Sequence, residues 1–428
     1  MINYKRMRQF FRTSFFKHTA TLLTANSLSQ AIALLAYPLL TRIYAPDDFG
    51  LFNLFLSIGG ILAIIGTGNY HYAIVLPKEE TKALACVKLS FILNLIVVGI
   101  SSFFLLFSSQ IGKLFNSESL GEYLYLLPIF VLLTATWNIL NYWFTRHQWY
   151  KPIAFYQISN SLGSSILKYM LGIMEFLRGG LLIGTILAQV IAFAGGFIVA
   201  WKKGLSRTLH IQRQEIVETA TTYKNFPFYS LPHSLINTLG GSLPILFLAP
   251  FFSLAEIGFF GMALTLAFRP INIISSSLHQ VFYPITTQKV NDNDSIMPFF
   301  KRYFLRTFTL LIPLFGVLFF FLPMLTEWLL GNGWHQSGKY IQLMLPWLAL
   351  SAAVAPITYL ADIFSQQRIA LLLEILSFIV RFCALMIGIW QQNFYLAIAY
   401  YCVASALIIL VQLLWYWHLV KQYEIKRI

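Results

Sequence analysis

Ionisable side chains carry whatever chemistry this sequence can do, and four of them stand in otherwise apolar surroundings: Lys168, Arg269, Glu374 and Arg381. Arg269 lies in "TLAFRPINIIS", with no acid within two helical turns along the chain. In a bilayer such an arginine costs about 2.5–3.5 kcal/mol on insertion scales. The planar guanidinium fork suits phosphate oxygens, and Pro270, which has no amide to donate, loosens the helix beside it. Arg269 is therefore expected to face a cavity and receive an anionic headgroup. Glu374 and Arg381 are two turns apart on one helix face, and so are Lys168 and Glu175. Two readings stay open for these pairs. The acids partly neutralise the bases and lock the bundle, or the long separation leaves Lys168 and Arg381 available to a ligand. His71, His279 and Asp362, together with Glu374, are the candidates for a coupling proton, a structural role for the histidines being the alternative.

The elements that must position these groups are membrane spans. The chain is 58% hydrophobic and 11% charged, with a mean hydropathy of +0.68, whereas soluble domains carry about 25% charged residues. Its aromatics include 39 Phe, 22 Tyr and 10 Trp, types favoured at membrane interfaces. About twelve apolar stretches follow one another at 19–43, 51–77, 84–107, 123–144, 153–176, 181–201, 226–251, 255–284, 303–325, 340–363, 369–390 and 394–420, each near the roughly 20 residues that cross a bilayer as a helix. The expected fold is an all-α integral membrane protein with about twelve transmembrane helices in two six-helix lobes around a central cavity.

The net charge of +14 is distributed as a topology signal, and nucleic acid is not an expected partner. Lys5, Arg6, Arg8, Arg12 and Lys17 precede the first span. Every second loop thereafter is basic: Lys78 and Lys82; Arg146 and Lys151; Lys202, Lys203, Arg207, Arg213 and Lys224; Lys289, Lys301, Arg302 and Arg306; Arg368. The intervening loops hold little more than Lys113, Arg178 and Lys339. This positive-inside bias predicts both termini in the cytoplasm and an even number of spans. The first apolar stretch is long and lacks a small-residue cleavage site, so it is not read as a cleavable signal. "RQFFRTSFFKH" before it is either an interfacial amphipathic helix or a plain topology anchor.

The expected organisation is a cytoplasmic segment 1–18, an N-lobe 19–201, a cytoplasmic linker 202–225, a C-lobe 226–420 and a cytoplasmic tail 421–428. The two halves resemble each other weakly. "DDFGLFNLFLSI" matches "AEIGFFGMALTL" at one offset, pairing Gly50 with Gly258 and Phe52 with Phe260, and the same offset pairs His71 with His279. "YLYLLPIFVLL" matches "YIQLMLPWLAL" at a slightly larger offset, with Pro128 beside Pro346. A repeat of six spans keeps its orientation, as in parallel-repeat secondary transporters. "SLAE" before span eight reads as a capping box, and "APDDFG" before span two puts Pro46 and two acids in a first turn.

Enzyme signatures are missing. There is no G-x-x-x-x-G-K-[ST], H-E-x-x-H or G-x-S-x-G pattern, and no cofactor is implied. "NDND" at 291–294 reads as a solvated turn rather than a metal-nucleotide site. Cys86, Cys383 and Cys402 fall in apolar spans without metal-ligand spacing and read as packing residues. Arg42, at the end of span one, reads as a snorkelling side chain.

Four stretches carry a family resemblance: "YPLLTRIYAPDDFGLFNLFLSI" (37–58), "YKPIAFYQISNSLGSSILKYMLG" (150–172), "GLLIGTILAQVIAF" (180–193) and "LLGNGWHQSGKYIQLMLPWLAL" (329–350). With them the chain resembles the polysaccharide flippases of the O-antigen (Wzx) type, in the superfamily that also includes lipid II flippases and MATE drug transporters. The resemblance implies a V-shaped two-lobe bundle that alternates between inward and outward openings, with spans one, two, seven and eight lining the cavity. It implies a transporter and not an enzyme. The implied cargo is an oligosaccharide on an undecaprenyl diphosphate carrier, moved from the cytoplasmic to the periplasmic leaflet of the bacterial inner membrane, with membrane lipids and other polysaccharide assembly proteins as partners. Arg269 in span eight is consistent with a cationic cavity for the diphosphate. Lys168 and Arg381 lie outside the four lining spans. Fewer arginines in spans one and two than a lipid II flippase would suggest favour a glycan cargo. The competing classes are a MATE-like cation or drug antiporter, which needs deep carboxylates that are scarce here, a glycan polymerase or ligase, which needs a large outer loop, and a membrane acyltransferase, which needs a partnered intramembrane histidine.

Overall fold

The computed structural model describes residues 14–174 and 177–427. Most of the 1–18 segment, and Glu175 with it, lies outside the described residues. Among these residues there is helix and turn but no strand. Twelve helices have 18 residues or more. The first six are α1 (Ser14–Leu40), α2 (Pro46–Thr67), α3 (Glu80–Phe103), α4 (Leu127–Arg146), α5 (Tyr150–Ile173) and α6 (Leu177–Lys202). The second six are α7 (Leu231–Leu248), α8 (Leu254–Asn291), α9 (Met297–Leu330), α10 (His335–Val354), α11 (Gln367–Trp390) and α12 (Phe394–Arg427). By length and composition ten helical segments can cross a membrane. The two long helices outside that set are α1 and α5, and α5 is the polar one, carrying Gln157, Ser159, Asn160, Ser161, Ser164, Ser165 and Lys168.

The outer surfaces agree with a lipid environment. On α9, Leu305, Leu310, Ile312, Val317, Phe320, Met324 and Trp328 are each at least 60% exposed, an apolar surface that water would not tolerate and hydrocarbon accepts. The chain is a multi-pass membrane protein.

Two compact units divide the chain, Met1–Ser242 and Leu243–Ile428, so the boundary falls inside α7. Residues 202–225 pack on the first unit. Leu205 and Ile211 join its buried core with Trp137, Trp143 and Phe144, Lys88 Nζ donates to the Ile211 carbonyl at 2.7 Å, and Tyr70 OH donates to the Ala220 carbonyl at 3.1 Å.

Helix pairing repeats between the units. In the first, α4 packs on α2, α3 and α6, and α5 packs on α6. In the second, α10 packs on α8, α9 and α12, and α11 packs on α12. The starts repeat as well. Asp48 accepts from the Ala45 amide at 2.9 Å ahead of α2, and Glu256 accepts from the Ser253 amide at 3.0 Å ahead of α8. Each carboxylate satisfies an amide left unbonded by the helix start. At 291–294 the chain leaves α8 through a tight turn, Asp294 N donating to the Lys289 carbonyl at 2.7 Å. Cys86 and Cys402 are buried and Cys383 is exposed, with no disulfide among them.

Candidate functional site

Arg269 is half-buried on α8. The first turns of that helix are closed in by buried Ile257, Gly258, Phe260, Gly261, Met262 and Ala263, whereas Pro270, immediately after the arginine, is exposed. Pro270 cannot donate the amide that would ordinarily bond the Leu266 carbonyl, which loosens the helix beside Arg269. Next to Arg269, Phe268 packs on Trp347 of α10 with ring centroids 4.7 Å apart.

Arg381 reaches the same tryptophan. Its guanidinium carbon stands 5.7 Å from the Trp347 ring centroid, a cation–π distance. Trp347 also meets Tyr401 of α12 edge-on at 5.5 Å. Thus α8 and α11 bring Phe268 and Arg381 to one aromatic side chain. Among the described residues no ion pair joins Arg381 to Glu374. Glu374 is half-buried and Asp362 is exposed on the short helix Leu360–Ile363, and both lie within electrostatic reach of the Tyr416 phenol.

Lys168 belongs to the first unit. Its ammonium stands 4.4 Å from the Phe52 ring centroid, and its carbonyl accepts from Tyr44 OH at 2.7 Å. A Cβ built at Gly184 of α6 would lie 2.8 Å from the Lys168 backbone nitrogen, so close approach of α5 and α6 fixes this residue. The structure therefore divides the three candidate cations, with Lys168 in one unit and Arg269 and Arg381 in the other.

His71 sits in a 3-10 turn, Tyr70–Val75, at the end of α2. It is 5% exposed, packed between Tyr72 at 4.2 Å and Tyr142 at 5.2 Å, and its Nδ1 has no hydrogen-bond partner. Burial pushes its pKa down to about 4, so the ring is neutral at pH 7 in this conformation. His279 is half-buried on α8, with Tyr359 edge-on at 5.4 Å and Tyr283 at 6.0 Å.

Three features were not singled out by sequence reasoning. Trp347 joins α8, α11 and α12. Tyr44 receives the close approach of Gly172 and Gly180. Arg146 donates to the Ile74 carbonyl at 3.0 Å and the Pro77 carbonyl at 2.6 Å. One tryptophan among 10 gives no local signal. The glycines around Tyr44 do, because "MLG" lies in the last turn of α5 and "RGG" in the first turn of α6. Among the described residues no group of three His, Cys, Asp or Glu could hold a metal.

Residues 39–339 match the family described as "Polysaccharide biosynthesis protein". The chain belongs to this polysaccharide biosynthesis family. A curated relative, the succinoglycan biosynthesis transport protein ExoT of Rhizobium meliloti (strain 1021), is 21% identical over 264 residues, covering 60% of this chain. That match spans 50% of the relative's length. Among solved structures, the polysaccharide biosynthesis chain is similar to the lipid II flippase MurJ in an inward closed conformation, with a TM-score of 0.68, 12% identity, and 92% and 87% of the two chains covered. It is similar also to an inward-facing multidrug resistance MATE family transporter, with a TM-score of 0.67, 13% identity, and 92% and 95% covered. At these identities the likeness establishes the fold alone.

Proposed function

We propose that this protein is a flippase for an oligosaccharide linked to undecaprenyl diphosphate, such as an O-antigen or similar surface polysaccharide repeat unit. Arg269 is the residue that meets the diphosphate. The observation that carries the reading is a half-buried arginine next to a helix-loosening proline on α8, in a chain of the polysaccharide biosynthesis family. ExoT, named as a succinoglycan biosynthesis transport protein, and MurJ, named as a lipid II flippase, support a lipid-linked glycan as the cargo class. Lys168 and Arg381 are further cationic candidates, and His71, His279, Asp362 and Glu374 remain the candidates for proton coupling.

The bundle works by alternating access. MATE transporters of this fold have been solved inward-facing and outward-facing, with TM-scores to this chain of 0.67 and 0.59. The basic bias of alternate loops supports cytoplasmic termini in the bacterial inner membrane, with cargo taken from the cytoplasmic leaflet and delivered to the periplasmic one. The test is leaflet exchange of a fluorescent polyprenyl diphosphate oligosaccharide in liposomes holding the purified protein, under an imposed pH gradient and potential. Exchange of the glycolipid but not uptake of a cationic dye supports the flippase. Dye uptake without glycolipid exchange identifies an antiporter instead.

A further inference from the structure

Residues 227–242 run into α7 and through its first half, and they belong to the first unit. None of their side chains is buried, and Phe228 and Tyr229 are 70% and 74% exposed. The next turns differ. Leu243, Pro244, Ile245 and Leu248 are buried, and they belong to the second unit. Just before that change, a Cβ built at Gly240 or Gly241 meets nothing within 4 Å. The first half of α7 is thus a strap with no side chain sunk into a core.

A polar attachment holds this strap. Asn69 Nδ2 donates to Ser230 Oγ at 3.1 Å and to Ser234 Oγ at 2.8 Å. The two serines are one turn apart and share a helix face. Ser230 closes a π-type turn, Phe226–Ser230, a form found often at functional sites. Pro227 and Pro232, on either side of it, have no amide to give to the helix ladder. The donor side is better fixed. Asn69 is 1% exposed, and its φ of +58° is a left-handed conformation that asparagine adopts more readily than most residues. Its neighbour Tyr70 is tied to the Ala220 carbonyl. The turn after α2 therefore presents a preset amide to the serine face.

The strength of this attachment suits a contact that is made and broken. Two neutral hydrogen bonds contribute about 1–3 kcal/mol together, and a two-state equilibrium of a few kcal/mol is what a ligand can shift. Segments with few buried apolar contacts open at the low end of a protein's stability range. The two halves of α7 belong to different units. When the units change their relation, the unburied half is the end that lets go most easily.

We propose that Asn69 is a latch of the transport cycle, holding the first half of α7 through Ser230 and Ser234 in this conformation and releasing it when the units alternate. The inference rests on the alternating-access reading above.

The test uses the full-length protein in nanodiscs, in a Cys383→Ser background because Cys383 is the exposed native thiol. Spin labels on Lys82→Cys of α3 and Tyr229→Cys report the distance of the strap from the first unit. One latched distance should dominate, beside a minor longer one. Ser230→Ala with Ser234→Ala should raise the longer population about tenfold, the loss expected from two hydrogen bonds. Asn69→Ala should act in the same direction, but it also alters the left-handed turn, so the serine variant decides. An unchanged distance distribution overturns the latch. In liposomes, Asn69→Cys/Ser234→Cys joined by a short reducible thiol reagent should lose glycolipid exchange and recover it on reduction, while neither single-cysteine variant responds to the reagent. Full exchange by the joined protein overturns the need for release. A wild type that moves no glycolipid counts against the flippase reading, and the label distances then decide the latch alone.

Discussion

His71 meets Tyr142 edge-on with ring centroids 5.2 Å apart, and His279 meets Tyr359 in the same way at 5.4 Å. The two histidines are paired by the offset that aligns the starts of α2 and α8, and the two tyrosines by the larger offset that aligns α4 with α10. One His–Tyr contact has thus been kept in both halves, although the backbone around it differs. The first half leaves the helix at Gly68, where φ is +54°, while α8 continues through His279 to Asn291.

This pair sets a pH prediction. The folded pKa of His71 is lowered by burial to about 4 from an ordinary 6.5. Folding therefore favours the neutral ring, and the stabilisation is complete above pH 6.5 and lost as the pH falls from 6.5 toward 4. The shift corresponds to about 3 kcal/mol at most. Wild-type Tm should drop across that window more steeply than that of His71→Gln. For coupling, the His71→Gln/His279→Gln double variant should flatten the pH dependence of transport. An unchanged transport profile removes both histidines as proton carriers.

Close helix contacts give a packing prediction. A Cβ at Gly388 of α11 would collide with Ala397 of α12, whereas one at Gly316 of α9 meets nothing within 4 Å. Gly388→Ala should cost about 1–3 kcal/mol by overpacking. Gly316→Ala should be neutral or stabilise slightly, because alanine is the better helix former. Thermal unfolding in detergent distinguishes the two.

Much of the architecture was legible in the sequence because the bilayer imposes it. Apolar runs of helical length at 51–77 and 255–284 are expected to be helices in lipid, and the capping acids Asp48 and Glu256 mark their starts. The 202–225 stretch reads as a linker by its polarity, yet Leu205 and Ile211 bury themselves in the first unit's core. Leu205 and Ile211 are two of several scattered apolar residues in that run, with Leu209, Ile216 and Val217, and only tertiary packing reveals their partner. The site was legible in part. Arg269 stands out because charge in an apolar run is costly, but Trp347, which joins its helix to that of Arg381, is one aromatic among many.

Arg146 gives a stability prediction. Its guanidinium bonds two carbonyls of the turn after α2 and stands 3.7 Å from Glu80. Lysine cannot reproduce the fork. Arg146→Lys should lose about 1–3 kcal/mol by leaving a carbonyl unsatisfied, seen as a lower Tm and faster proteolysis between α2 and α3.

The central claim is that Arg269 receives the diphosphate of a lipid-linked glycan. Charged hydrogen bonds of this kind are worth about 1.5–3 kcal/mol each, so removing the fork should slow transport by tenfold to several-hundredfold, on the order of the same energies. The direct measurement is leaflet exchange of a fluorescent polyprenyl diphosphate oligosaccharide by wild type, Arg269→Ala and Arg269→Lys in liposomes at matched protein content. The account predicts exchange by wild type, partial exchange by Arg269→Lys, and none above background by a folded Arg269→Ala. Wild-type rates from folded Arg269→Ala would contradict it.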